Sequence, residues 1–137
     1  MKKIIINIVL LVATVFMGHA QAPDWTVEEN NYEYSMSLVA FVNIDGTNLN
    51  STNDLVGAFV NNELRGVTNL VYVPSNGRYY AYLTVFANSN SEMINFKIYN
   101  SNTDQIVDMP QEFEFVINSH YGDIFHCLLY TSDAADD

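Results

Sequence analysis

The chain has 137 residues, with sixteen acidic residues against five basic ones and a net charge of −11 at pH 7. This surplus of negative charge argues against nucleic acid and anionic membrane surfaces as partners. The single cysteine leaves no intrachain disulfide, so the fold is expected to depend on the packing of a hydrophobic core.

The first twenty residues have the three parts of a secretory signal peptide. Met1-Lys2-Lys3 is basic, residues 4–16 form an apolar run, and Gly18-His19-Ala20 is a small-residue cleavage site. The apolar run is too short to span a membrane. We therefore predict cleavage after Ala20, with Ala22 as the alternative site, and a mature chain that is secreted or lies at the cell surface without inserting into the membrane.

The last eleven residues, 127–137, resemble the translation of a transposase sequencing adaptor joined after His126. A genuine acidic tail is the alternative. Residues 21–126 hold three basic and thirteen acidic residues, which gives a net charge of −10. About a hundred residues suffice for one domain. We predict a single β-sandwich module at 21–126, truncated at its C-terminal end and followed by a non-native tail.

Along 21–126, short apolar runs with a period of two alternate with polar turns, and no helical period follows the signal peptide. The first strand is expected from Tyr32 to Ile44, and Pro110 is expected to end the sixth. The predicted strands are 32–44, 54–60, 63–72, 79–87, 92–99, 105–109 and 113–117. About seven such strands are typical of an all-β, antiparallel two-sheet sandwich.

The centre of the sequence has the pattern of a β-hairpin that turns at Asn61-Asn62, a pair that tolerates the positive φ angles of a tight turn. A regular two-residue turn would place Ala58 opposite Arg65 and Gly57 opposite Gly66. Two glycines facing each other would leave a slot in which an aromatic ring could lie against the backbone.

Arg65 lies in an otherwise apolar hairpin and therefore needs an anionic partner. Asp54 and Glu92 are the candidates. We predict a structural ion pair of Asp54, Arg65 and Glu92 that fixes strand register, and a ligand-binding triad of the same residues is the alternative.

The hairpin carries the pattern Asp54-x-x-Gly-Ala-Phe-Val followed by Arg65-Gly-Val. With Trp25 before it and a Tyr-rich strand and Glu92-x-Ile-x-Phe after it, the chain resembles accessory β-sandwich modules of secreted multidomain bacterial surface proteins of the type IX secretion route. Similar modules often carry Cys where this chain has Leu64. The resemblance implies an accessory or adhesive part, with other domains of a larger surface protein as its partners.

Two groups of residues are candidates for weak ligand sites. Trp25, Tyr80 and Tyr82 could form a platform for a glycan, because a flat ring suits the C–H face of a pyranose, although packing accounts for Tyr-rich strands equally well. Polar loop residues could supply oxygen ligands to Ca²⁺, although Asx turns explain the same composition. The calcium candidates are Asp45, Asn48, Asn50, Asn53 and Asp54.

No nucleophile motif or His-rich metal spacing occurs in the mature chain, so we predict that it is not an enzyme. The predicted function is a noncatalytic extracellular module that serves adhesion, spacing or presentation. A carbohydrate-binding module and an accessory fragment of a secreted hydrolase are the alternatives.

Overall fold

The computed structural model describes residues 21–123 and 129–131. The predicted signal peptide and most of the adaptor-like segment lie outside the described residues. Within them, no helix is long and apolar enough to cross a membrane. One 3-10 turn, Glu29–Asn31, precedes the strands. The strands are β1 (Tyr34–Ala40), β2 (Val42–Ile44), β3 (Thr47–Asn48), β4 (Leu55–Val60), β5 (Glu63–Val73), β6 (Arg78–Ala87), β7 (Met93–Asn100), β8 (Gln105–Glu114), β9 (His120–Tyr121) and β10 (Leu129–Tyr130).

The all-β prediction is confirmed. Seven strands form one sheet in the order β8-β7-β4-β5-β6-β1-β9, and three form a smaller sheet in the order β10-β2-β3. Two pairings, β1 with β9 and β10 with β2, are parallel. The sequence pattern predicted antiparallel strands throughout. Instead, the short strand β9 runs parallel to β1, and the short strand β10 runs parallel to β2.

The large sheet curls at β5, because this long strand has different neighbours along its length. Its first part pairs with β4, from Glu63 to Asn69. Its last part, Leu70 to Val73, pairs with β6. A strand that passes from one set of neighbours to another in this way makes a corner in a β structure.

The core lies inside the curl and follows the predicted alternation. On β6, Ala81, Leu83 and Val85 are at most 1% exposed, while Tyr82 between them is 48% exposed. Met36 and Leu38 on β1 are buried in the same way. Burying each of the larger aliphatic side chains contributes about 1.5–3 kcal/mol, so this inner face supplies much of the driving force for folding.

Two predicted strand boundaries are wrong. The first strand is interrupted at Phe41, which separates β1 from β2. Pro110 does not end a strand, because β8 continues through it to Glu114. The register of β8 shifts opposite the stretch between Asn95 and Lys97, and β8 lies at the edge of its sheet. Proline is tolerated at such a position, since no ladder bond requires its missing N–H group.

The predicted turn at Asn61-Asn62 is confirmed, with φ angles of 48° and 65°. Beyond it, the pairing passes from Phe59–Leu64 directly to Ala58–Gly66, so Arg65 is the extra residue of a β-bulge.

The bulge makes the predicted cross-strand pairs wrong. Ala58 faces Gly66 instead of Arg65, and Gly57 faces Val67 instead of Gly66. One inserted residue is enough to shift every pair beyond it.

Candidate binding groove

A groove of about 270 Å³ opens on the outer surface where the N-terminal segment passes over β5 and β6. It lies beside the bulge, at the part of β5 that is not paired with β6. Apolar rings and methyl groups share its wall with hydroxyl and carboxylate groups. The residues that line it include Trp25, Thr26, Glu29, Val67, Tyr82 and Thr84.

Gly57 leaves room for the ring of Trp25 to lie against the β4 backbone. A Cβ atom at Gly57 would lie 3.0 Å from Cζ3 of Trp25 and 2.8 Å from Cε2 of Phe59, so only glycine lets both rings approach the β4 backbone this closely. The rings of Trp25 and Phe59 meet edge to face, with centroids 5.4 Å apart. The expected contact between a ring and a glycine is therefore present, although the two glycines do not face each other.

Gly66 has a different role. A Cβ atom there would lie 2.3 Å from the carbonyl oxygen of Thr84, on β6. The absence of a side chain lets β5 approach the β6 backbone at Gly66, which itself lines the groove.

The structure brings Trp25 and Tyr82 to one groove but separates Tyr80 from them. Tyr80 is fully buried and Tyr82 is 48% exposed, and their rings are tilted by 50° at 6.5 Å. Phe41 packs edge to face against Tyr80, and the Asn76 side chain bonds to its hydroxyl group. The flat platform predicted from Trp25, Tyr80 and Tyr82 is therefore not formed, because Tyr80 is fully buried beneath Phe41.

Arg65 and Glu92 form a close ion pair. Nη1 and Nη2 of Arg65 donate to the Glu92 carboxylate at 3.0 and 3.3 Å, and Nη1 also donates to the carbonyl oxygen of Phe86 at 3.2 Å. Burial is the largest single effect and acts to lower the pKa of Arg65, but the hydrogen bond to Glu92 and the electrostatic interactions with Glu92, Tyr32 and Glu63 together outweigh it, so the pKa is raised. Arg65 is thus held in its charged form.

Tyr32 extends this cluster toward the turn of the hairpin. Its hydroxyl group donates to Glu63, whose carboxylate lies 3.4 Å from Nε of Arg65. The guanidinium of Arg65 lies 4.8 Å from the centre of the Tyr32 ring. The bond to Glu63 and burial together raise the pKa of Tyr32.

Asp54 lies at the other end of the hairpin and has different partners. Its Oδ1 accepts from the backbone N–H and the hydroxyl of Ser101, at 2.8 and 2.6 Å, and its Oδ2 accepts from the N–H of Ser51 at 3.2 Å. The predicted set of Asp54, Arg65 and Glu92 is thus divided. Arg65 and Glu92 are brought together, whereas fully buried Asp54 joins two loops.

The calcium candidates are distributed among turns. Asp45 has a positive φ of 50° and accepts from Thr131, while Oδ1 of Asn48 accepts from Asn43 at 2.9 Å. Oδ1 of Asn50 accepts a hydrogen bond from Nδ2 of Asn102 at 3.4 Å. Residues 21–123 and 129–131 contain no group of three His, Cys, Asp or Glu side chains placed to hold a metal ion.

Apart from Trp25 and Tyr82, none of the residues that line the groove was predicted from the sequence as a binding residue. Thr84 follows Tyr82 by two residues on the outward face of β6, so the alternation already contained this signal. Val67 and Glu29 reach the groove through the curl of β5 and the path of the N-terminal segment, which no local pattern encodes. No protein-family model, curated protein or solved structure matches this chain.

Proposed function

We propose that this chain is a noncatalytic extracellular module that serves adhesion or presentation as part of a larger secreted protein, and that its curled sheet closes as a β-sandwich. The observation that carries the proposal is the groove that Trp25 and Tyr82 both line. It exposes aromatic surface beside hydroxyl groups on an all-β frame, which is an arrangement suited to binding.

Carbohydrate is the class of ligand that the groove favours. Trp25 and Tyr82 offer ring surface for the C–H face of a sugar, and Thr26, Thr84 and Glu29 offer hydrogen-bonding groups for its hydroxyls. Trp25 is held between Phe59 and Gly57, so little conformational entropy would be lost when a ligand binds to it.

The test is a binding screen of residues 21–137 against soluble polysaccharides and oligosaccharides, by affinity electrophoresis and then calorimetry. For a glycan that binds, Tyr82→Ala is expected to weaken affinity by roughly tenfold or more, because truncating a central aromatic contact costs over about 1 kcal/mol. Trp25→Ala is expected to act in the same direction.

Tyr72→Ala is the matched control. Tyr72 is 46% exposed, nearly the same as Tyr82, but it packs beside Tyr79 outside the groove. Its removal is expected to leave glycan affinity unchanged. Equal losses for Tyr72→Ala and Tyr82→Ala would refute the groove as the site, and a screen without any binding would refute carbohydrate as the ligand.

A further inference from the structure

The short strand β10 occupies a slot made by more distant parts of the chain. Leu129 pairs with Val42, and Tyr130 pairs with Asn43, in parallel register. Leu129 is completely buried and belongs to the core cluster. Its side chain therefore fills a pocket, while the backbone beside it follows the edge of β2.

The other side of this segment is held by one side chain, Gln111. Its Nε2 donates to the carbonyl oxygen of Tyr130 at 2.8 Å, and the N–H of Tyr130 donates to its Oε1 at 3.2 Å. An amide group that bonds both the N–H and the C=O of one residue reproduces what a neighbouring antiparallel strand would do. Gln111 is available for this because it lies where β8 leaves its regular register with β7.

The next residue, Thr131, is recognised through both backbone and hydroxyl. Its N–H donates to the carbonyl oxygen of Asn43 at 3.1 Å. Its hydroxyl accepts from the N–H of Asp45 at 2.9 Å and donates to Oδ1 of Asp45 at 3.2 Å. A hydroxyl that both donates and accepts distinguishes Thr or Ser from an apolar residue of the same shape.

We infer that β2, Gln111 and Asp45 form a strand-acceptor site for an extended peptide of a partner protein, with residues 129–131 bound there as an intramolecular ligand. The peptide has a buried aliphatic residue and, two positions later, Thr or Ser. Main-chain bonds hold the peptide, and the Leu129 pocket and Asp45 select its side chains, as in other cases of strand addition. Every residue that builds the acceptor precedes residue 127, so the acceptor itself does not depend on the origin of the adaptor-like segment.

The experiment uses the chain 21–137 with Leu129→Asp, which vacates the slot because a carboxylate is costly to bury there. The probe is a fluorescein-labelled peptide, Leu-Leu-Tyr-Thr-Ser, and the readout is fluorescence anisotropy. Saturable binding is expected, and the unaltered chain is expected to bind the peptide more weakly because its own segment competes. A peptide with Val in place of Thr is expected to bind roughly tenfold more weakly, since it loses two hydrogen bonds.

Adding Gln111→Ala to the Leu129→Asp chain is expected to weaken peptide binding, whereas adding Gln105→Ala, an exposed change elsewhere on β8, is not. Equal affinity for the Thr and Val peptides, or no binding to a chain that circular dichroism shows to be folded, would overturn the inference. If Leu129→Asp fails to fold, Leu129→Ala with Thr131→Val takes its place. This variant loses the buried aliphatic side chain and both hydroxyl bonds of the segment, so its own segment competes much less, and absence of saturable peptide binding to this folded variant would overturn the inference equally.

Discussion

The two ends of the β4–β5 hairpin each bury a charged residue, and they do so in opposite ways. Asp54 is completely buried and accepts three hydrogen bonds from uncharged groups of Ser51 and Ser101. Arg65 is 9% exposed and is neutralised by the carboxylate of Glu92. A carboxylate can be satisfied by N–H and hydroxyl dipoles from a loop, whereas a guanidinium is best satisfied by a second charge.

The difference determines which residue can be replaced. The donors around Asp54 belong partly to the backbone, so no substitution elsewhere can remove their need for an acceptor. Arg65 and Glu92 bond to each other through their side chains, and both can be exchanged for apolar groups, although the carbonyl oxygen of Phe86 then loses one donor. The Asp54 end is therefore expected to be sensitive to any change, and the Arg65 end only to an unbalanced one.

The largest effect is expected for Asp54→Ala. It leaves the N–H groups of Ser51 and Ser101 without their acceptor, and each unsatisfied buried group costs about 1–3 kcal/mol, so a loss of about 3–5 kcal/mol is expected. Urea unfolding followed by circular dichroism measures it. The control is Asp108→Ala, whose side chain is 81% exposed beside Lys97, for which less than about 0.5 kcal/mol is expected. Similar losses at both positions would mean that burial of Asp54 has no special energetic consequence.

An intermediate effect is expected at the other end. Glu92→Leu leaves the charge of Arg65 without its main partner, at a cost of about 2–3 kcal/mol, somewhat below the value for a fully buried pair because the Glu92 side chain is 27% exposed. The double change Arg65→Met with Glu92→Leu is expected to recover most of this loss.

A double-mutant cycle in urea gives the coupling between Arg65 and Glu92 directly. If the double variant is as unstable as Glu92→Leu alone, the pair is no more replaceable than Asp54, and the contrast between the two ends disappears.

Only part of this difference between Asp54 and Arg65 could be predicted from the sequence. The sequence marked Arg65 as a residue in need of an anion and named Glu92, because a lone cation in an apolar hairpin is visible in the pattern. It could not show the bulge at Arg65, because Arg65 and Gly66 there contact Glu92 and β6, which are distant in the sequence. One partner of Asp54, Ser51, is only three residues away, but the other, Ser101, lies in a loop that is distant in the sequence.

The candidate groove was predictable to a similar degree. The alternation along β6 placed Tyr80 and Tyr82 on one face of the strand, and the glycine at position 57 suggested a slot in which an aromatic ring could lie against the backbone. Which ring fills that slot, and that Phe41 covers Tyr80, follow from how separate segments pack. Period-two patterns determine which face a residue occupies, but the exposure of that face depends on what crosses it.

The smallest effect on stability is expected for the tyrosine–carboxylate hydrogen bond at each end of the hairpin. These bonds join Tyr32 to Glu63 and Tyr99 to Asp104. Each bond raises the pKa of its phenol in the folded chain. The stabilisation is therefore fully present below the unfolded pKa of about 10 and is lost as pH rises through the folded pKa. At neutral pH, Tyr32→Phe is expected to cost only about 0.5 kcal/mol, because its bond lies at the surface.

The two phenols nevertheless differ in their surroundings. Arg65 acts to lower the pKa of Tyr32, whereas Asp54 acts together with Asp104 to raise that of Tyr99. Phenolate absorbance of Tyr32→Phe and Tyr99→Phe, titrated from neutral to alkaline pH, is expected to lose one late-titrating group in each case. Unfolding free energies measured over the same range are expected to fall less steeply in each variant than in the unaltered chain. An unchanged slope in both would show that these bonds contribute nothing to alkaline stability at either end of the hairpin.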